Sequence, residues 1–224
     1  WASGFEPIEW RNALTAVTLP TASDIERTGY QFLGWYETED FSGERITAIP
    51  SGTTGDTPLY ARFVVNSLGS IDISGIVTID GTEYAQYSVS SESALKTIID
   101  VLNADTTIST ENICISLDSD ITLSSDYTPY GYDTSSGSET SNQFEGVFDG
   151  GGHTITVGEV NASMFTPICY NNAGIIQNVK ISLASGVTIS AKEGNASGEY
   201  KDFAGICFEN SGTIRNCQVD LGTV

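Results

Sequence analysis

Three stretches decide the fold: Phe144–Val157, FEGVFDGGGHTITV; Phe165–Val179, FTPICYNNAGIIQNV; and Phe203–Cys217, FAGICFENSGTIRNC. Aligned on their first phenylalanines, Phe148 falls over Cys169 and Cys207, Val147 over Ile168 and Ile206, and Ile155 over Ile176 and Ile214. Gly174 matches Gly212, and Asn178 matches Asn216. The offsets are 21 residues (165 minus 144) and 38 (203 minus 165), and the 17-residue difference is a polar insertion around AKEGNASGEYKD. A period of ~20 residues, made of short strands and Gly/Asn turns, is what the coils of a parallel β-helix require, because stacked coils bury a shared interior. By strand alternation Phe144, Gly146 and Phe148 are expected on one face, with Phe148, Cys169 and Cys207 in one internal row. Gly150 to Gly152 then turn the chain, Ile155 begins the next ladder, and Asp149 and His153 fall at the corner. Neighbouring strands lie ~4.8 Å apart, within the range over which two cysteine Cα atoms can be bridged. A Cys169–Cys207 disulfide and a reduced thiol ladder both fit that spacing.

The chain has 224 residues, 39% of them hydrophobic, enough for a buried core in one large or two modest domains. Its 29 acidic and 9 basic residues give a formal charge of -20. That charge repels nucleic acid and anionic lipid instead of displacing their counterions. No apolar run approaches the ~20 residues of a membrane span, so no direct membrane insertion is expected. The start, WASGFEPIEW, lacks the basic-then-apolar layout of a signal peptide. The end, DLGTV, stops in strand-like sequence, so the chain reads as a fragment truncated at its C-terminus. Cys114, Cys169, Cys207 and Cys217 contain no C-x-x-C pair and His153 is the single histidine, so neither a zinc site nor any other metal or cofactor is expected.

Ahead of the repeats, aromatic residues alternate. Tyr30 and Phe32 share a strand face, Gly34 precedes Trp35 and Tyr36, and Tyr60 and Phe63 close the segment. Pro50, Gly52 and Gly55 punctuate a turn-rich return to LYARF. On GYQFLGWYETEDFSGE followed by ITAIPSGTTGDTPLYARF, the segment from Val17 to Phe63 resembles the Listeria-Bacteroides repeat, a small β-grasp-like module of bacterial surface proteins. The resemblance implies a stalk or spacer on an extracellular protein, sometimes linked to adhesion. Trp35, Tyr36 and Tyr30 could alternatively form a platform for sugar rings, but a domain of ~50 residues needs such side chains to hold its own core.

After Phe63, two alternating runs flank Asp80-Gly81, a hairpin signal. In SSESALKTIIDVLNADT, Ala94, Leu95, Ile98, Ile99 and Leu102 recur at helical spacing behind a Ser91 or Ser93 cap. ISLDSDITL, YTPYG, FEGVFDGGGHTI, MFTPICYNNAGIIQNVKISL and FAGICFENSGTIRNCQV together resemble the right-handed β-helix of bacterial surface proteins carrying the GLUG motif, and the helix stands where those domains place an N-terminal cap. Related coils occur in adhesins, secreted peptidases and polysaccharide-degrading enzymes, so the resemblance implies a fold more than an activity.

Chemistry is sparse. Asp149-Gly150-Gly151-Gly152-His153 lacks the endings of a dinucleotide or Walker loop and is followed by a strand, HTITV, so no helix N-terminus faces it. An Asp149–His153 pair serving Ser163 lacks a GxSxG elbow. Asp118, Asp120, Asp126 and Asp133 are the densest acids, and Arg215 is the single basic residue in the aligned strands. Their spacing does not match a calcium loop and suits turn capping. The reading is therefore a mainly β protein: a β-grasp-like module over 1–65, an extended β connection over 66–90, and a capped right-handed parallel β-helix over 91–224. It has no catalytic residue and is extracellular, on the bacterial cell surface, as an adhesin or spacer. Expected partners are a host or bacterial surface protein or a glycan, with recognition centred on the insertion from Gly186 to Asp202. The alternatives are a carbohydrate-active β-helix enzyme and the accessory region of a large secreted peptidase.

Overall fold

The computed structural model describes residues 15–41, 43–133, 138–158, 164–187 and 202–222. They are mainly β with one helix, and the chain divides into two compact units. One comprises Trp1–Ser67 with Thr78–Glu83, the other Leu68–Val77 with Tyr84–Val224. Among the described residues no helix is long and apolar enough to cross a membrane.

In the first unit, β1 (Val17–Thr18), β2 (Tyr30–Tyr36), β3 (Ala48–Ile49) and β4 (Tyr60–Val65) make two antiparallel pairs, β1 with β3 and β2 with β4. A bulge between Phe32 and Gly34 breaks the alternation expected of β2. Leu33 and Tyr36 consequently join Leu19, Ile49 and Val64 in the core, while Phe32 stays half-buried, its ring 5.4 Å from that of Phe63. Gly34 (φ +154°) is where the Arg45 side chain fills the space of a β-carbon, and Arg45 Nη1 donates to the Leu33 carbonyl at 2.9 Å. Arg62 is 1% exposed, with its guanidinium carbon 5.6 Å from the Tyr36 ring and 5.5 Å from the Phe41 ring. Its Nη2 donates to the Glu83 carbonyl, and Tyr36 Oη donates to the Glu83 carboxylate at 2.6 Å. A buried cation is thus held by two aromatic faces and a main-chain oxygen.

The second unit is built by parallel stacking. After the paired β5 (Ser67–Leu68) and β6 (Ile71–Asp72), β7 (Gly75–Ile79) and β8 (Thr82–Val89) follow, joined within Thr78–Glu83 of the first unit at Asp80 and Gly81, with φ of 51° and 84°. Two positive φ values are what a tight Asp-Gly turn needs. Then follow α1 (Glu92–Ala104), β9 (Ile113–Leu117), β10 (Ile121–Leu123), β11 (Tyr132–Asp133), β12 (Ser138–Glu139), β13 (Gln143–Phe144), β14 (Val147–Asp149), β15 (Thr154–Val157) and β16 (Met164–Phe165). The chain continues through β17 (Asn171–Asn172), β18 (Ile175–Gln177), β19 (Lys180–Leu183), β20 (Asp202–Phe203), β21 (Glu209–Asn210), β22 (Thr213–Arg215) and β23 (Gln218–Asp220).

Parallel pairing sorts these strands into faces: β8-β9-β14-β18-β22, β10-β15-β19-β23, β13-β17-β21 and β16-β20. Along the first face the partner of each residue lies 28 (85 to 113), 33 (114 to 147), 28 (147 to 175) and 38 (175 to 213) positions on. Tyr87, Ile115, Phe148 and Ile176 form one fully buried row, and Ile121, Ile155 and Ile181 another. Their last rungs, Ile214 and Val219, are 37% and 41% exposed. Helix α1 follows β8 as β10 follows β9, and it packs against β10 and β6. Ser91 Oγ accepts the Ala94 N–H at 3.2 Å, and Leu95, Ile98, Ile99 and Leu102 are the buried stripe.

The coil register corrects the sequence alignment at its first step. Phe144 pairs with Asn172, not Phe165; Phe148 with Ile176, not Cys169; and Ile155 with Ile181, not Ile176. Phe165, in β16, ends the turn of chain that Phe144 begins. The 21-residue offset is therefore a step between two faces of one coil. Phe144, Phe148, Phe165 and Ile155 are all buried although they lie on different faces, so local pattern alone cannot separate that step from a coil-to-coil step. Nor do Phe144, Gly146 and Phe148 lie along one strand: Gly146 sits in the corner between β13 and β14. The 38-residue step does join coils, stacking Phe203 on Phe165 and Ile214 on Ile176.

Gly146, Gly174 and Gly212 make the corner possible. A β-carbon at Gly174 would overlap the Gly146 carbonyl, and one at Gly212 the Gly174 carbonyl. Those carbonyls accept the next N–H of the ladder, from Ile175 and Thr213, each at 2.8 Å. Gly174→Ala is expected to cost about 1–3 kcal/mol as an overpacked site. Gly75→Ala, where the nearest atom is Gln86 Oε1 at 4.0 Å, should stay within about 0.5 kcal/mol. Urea unfolding of the two variants checks the difference.

Candidate functional site

The reactive-looking residues of the glycine-rich stretch are drawn into a network that runs across three coils. Asp149 ends β14, and its Oδ1 accepts from Gly151 N at 2.9 Å and Asn178 Nδ2 at 3.0 Å, its Oδ2 from Gln177 Nε2 at 2.8 Å. Gln177 Oε1 in turn accepts from Arg215 Nε at 2.8 Å, and Asn178 Oδ1 from Asn216 Nδ2 at 3.3 Å. Asn178 and Asn216 have φ of 56° and 53°. Asparagine tolerates this left-handed conformation better than other residues with a β-carbon. Their match in the sequence therefore marks a backbone corner.

His153 takes Asp120 in place of Asp149: its Nδ1 is 3.3 Å from Asp120 Oδ1, which also accepts from Thr154 N at 2.8 Å. The Thr154 N–H, with the His153 ring, holds the exposed Asp120 carboxyl below the usual 3.8. Asp126 accepts from Ser124 Oγ, and Asp118 N donates to the Val89 carbonyl at 2.8 Å. Asp133 lies in β11. Ser163 and residues 188–201 of the insertion lie outside the described residues. Among those described, no group of three or more His, Cys, Asp or Glu is placed to hold a metal ion. Cys114 and Cys169 are buried thiols, Cys207 and Cys217 half-buried ones. In the first unit Tyr36 is buried, Trp35 Nε1 donates to the Pro20 carbonyl at 2.8 Å, and Arg27 lies 3.8 Å above the Tyr30 ring, so these three rings present no shared face to a sugar.

Two polar surfaces of the second unit escaped the sequence reading. One is an outward row of hydroxyls, Thr122, Thr156 and Ser182, in register on β10, β15 and β19, with Thr156 Oγ1 3.1 Å from Ser182 Oγ. The other is a depression of about 270 Å³ whose lining includes Thr110, Tyr130, Asn142, Gln143 and Glu145. Thr110 Oγ1 accepts from Glu145 N at 2.9 Å, and the Tyr130 ring stands edge-on to Phe144 at 5.9 Å. Burial and the Glu145 charge push the Tyr130 phenol up, so it remains a neutral donor. Hydroxyls, amides and a single carboxylate suit hydrogen bonding to a hydroxylated ligand. The signal for the hydroxyl row was present as the alternation of I-T-L at 121–123, I-T-V at 155–157 and I-S-L at 181–183, but the depression joins segments over 30 residues apart (110 and 145).

Residues 12–62 match the family model of the Listeria-Bacteroides repeat domain, a repeat typical of bacterial surface proteins. No curated protein and no solved structure matches the chain.

Asp149→Ala leaves three donors without their acceptor and is expected to destabilise the protein by about 1–3 kcal/mol in urea unfolding. Asp120 has a depressed folded pKa, so the stability it contributes is complete above its unfolded value near 3.8 and is lost as pH falls through the folded one. In an NMR titration its carboxyl carbon should have its midpoint below 3.8, and Asp120→Asn should remove that part of the acid-limb loss.

Proposed function

We propose that this chain is a non-catalytic module of an extracellular bacterial surface protein, acting as a spacer or an adhesive surface. In this reading the second unit is a right-handed parallel β-helix of the GLUG type with α1 as its N-terminal cap, and the first is a β-grasp-like module. The observation that carries the proposal is the network through Asp149, Gln177, Asn178, Arg215 and Asn216: polar atoms that could serve chemistry are committed to neighbouring coils. The match of residues 12–62 to a repeat typical of surface proteins supports the location. The hydroxyl row and the Thr110–Tyr130–Glu145 depression are the surfaces offered to a glycan or a surface protein.

A glycan array paired with an assay for polysaccharide cleavage tests this. Retention of glycans without cleavage, weakened at least tenfold by Thr110→Val or Glu145→Gln, is the expected result for an adhesive surface; absence of both binding and cleavage is expected for a spacer. Turnover that survives chelation and disappears in Asp118→Asn or Asp120→Asn would overturn the non-catalytic reading.

A further inference from the structure

Two cysteines occupy the same position on successive coils. Cys169 bridges Tyr130 in parallel, with Tyr130 N donating to the Ile168 carbonyl at 3.2 Å and Tyr170 N to the Tyr130 carbonyl at 3.0 Å. On the next coil Phe203 pairs with Phe165 and Asn210 with Asn172, each 38 residues on (203 minus 165, 210 minus 172). Cys207 lies the same 38 residues beyond Cys169 (207 minus 169). Immediately after the cysteines, the Tyr170 and Phe208 rings stack at 5.0 Å, and the Tyr170 carbonyl accepts from Phe208 N and Glu209 N at 3.0 Å. The register is thus clamped on both sides of the pair. Neighbouring strands at ~4.8 Å put their Cα atoms inside the ~4.4–6.8 Å range that disulfides span.

We propose that Cys169 and Cys207 are a cross-coil disulfide site, closed by exchange with a small-molecule disulfide and pinning the last described coil to the one before it. Cys207 is half-buried and Cys169 fully buried, so exchange begins at Cys207. Its thiolate attacks one sulfur of the small disulfide and expels a thiolate, leaving a mixed disulfide on Cys207. Cys169 then gives up its proton and attacks Cys207 Sγ, expelling the second small thiolate. Two protein thiols are oxidised, one external disulfide is reduced to two thiols, and the two protons pass to the leaving groups. Burial raises both thiol pKa values, and the Cys207 charge adds to the rise at Cys169, which is consistent with sulfurs in electrostatic reach of one another. The coil being pinned is the one whose inward residues Ile214 and Val219 are least covered. This site rests on coil register and does not depend on the surface location proposed above.

The test is incubation of the folded protein with oxidised glutathione, alkylation of remaining thiols, proteolysis and mass spectrometry. The expected product is a peptide pair joined through Cys169 and Cys207, with Cys114 and Cys217 alkylated after unfolding. Cys169→Ser should stop at a glutathione adduct on Cys207, and Cys217→Ser should leave the bridge intact. Oxidised protein should melt roughly 5–10 °C above the reduced form, a difference absent in Cys207→Ser. A Cys207–Cys217 link, a persistent glutathione adduct in the unsubstituted protein, or no reaction at Cys207 would each overturn the proposal.

Discussion

Parallel coils sit about 4.8 Å apart, and the corners of the second unit are arranged around that distance. At Gly146, Gly174 and Gly212 the main chain of one coil comes so close to the next that a β-carbon has nowhere to go. The same approach lets the Gly146 and Gly174 carbonyls each accept a hydrogen bond from the following coil. At Asn178 and Asn216 the chain turns through positive φ, and the amide side chains reach back to the coil before. Interior rows of Phe, Ile and Val then stack because the corners are in register. A shift of one residue would carry each apolar side chain to the outside.

Several of the acidic side chains are held by main-chain hydrogen bonds. Asp24 and Asp105 each accept a main-chain N–H group two or three residues ahead or behind, and Asp120 accepts one from a neighbouring coil. Such bonds favour the charged carboxylate without requiring a basic partner. Two ion pairs, Lys96 with Asp100 and His153 with Asp120, involve partly or largely exposed side chains, a setting where pairs contribute little. The buried cation of the first unit, Arg62, instead uses aromatic faces and the Glu83 carbonyl.

Legibility in the sequence followed the range of the interaction. The helix, its Ser91 cap, the Asp80–Gly81 turn and the aromatic repeat were readable because each depends on residues a few positions apart. The 38-residue step was readable as well, since Gly174 with Gly212 and Asn178 with Asn216 mark corners by residue types that few others replace. The preceding step was misread at Phe144, Phe148 and Ile155, because an inward phenylalanine looks the same on every face of a coil. The bulge at Gly34 similarly moved the core of β2 from Phe32 to Leu33 and Tyr36.

Sequence by itself determined that the chain is β-rich, acidic and repetitive, and it singled out Asp149, Asn178 and Asn216 as special positions. Only the tertiary structure decided what makes them special: Asp149 gathers donors from the next coil, and His153 pairs with Asp120, 33 residues away. It also brought Thr110 beside Glu145 and stacked Tyr170 on Phe208. The reason is geometric. Composition and local spacing act along the chain, whereas a stacked coil takes its neighbours from positions 28, 33 or 38 residues away, set by loop lengths that the sequence reveals only where corner residues repeat.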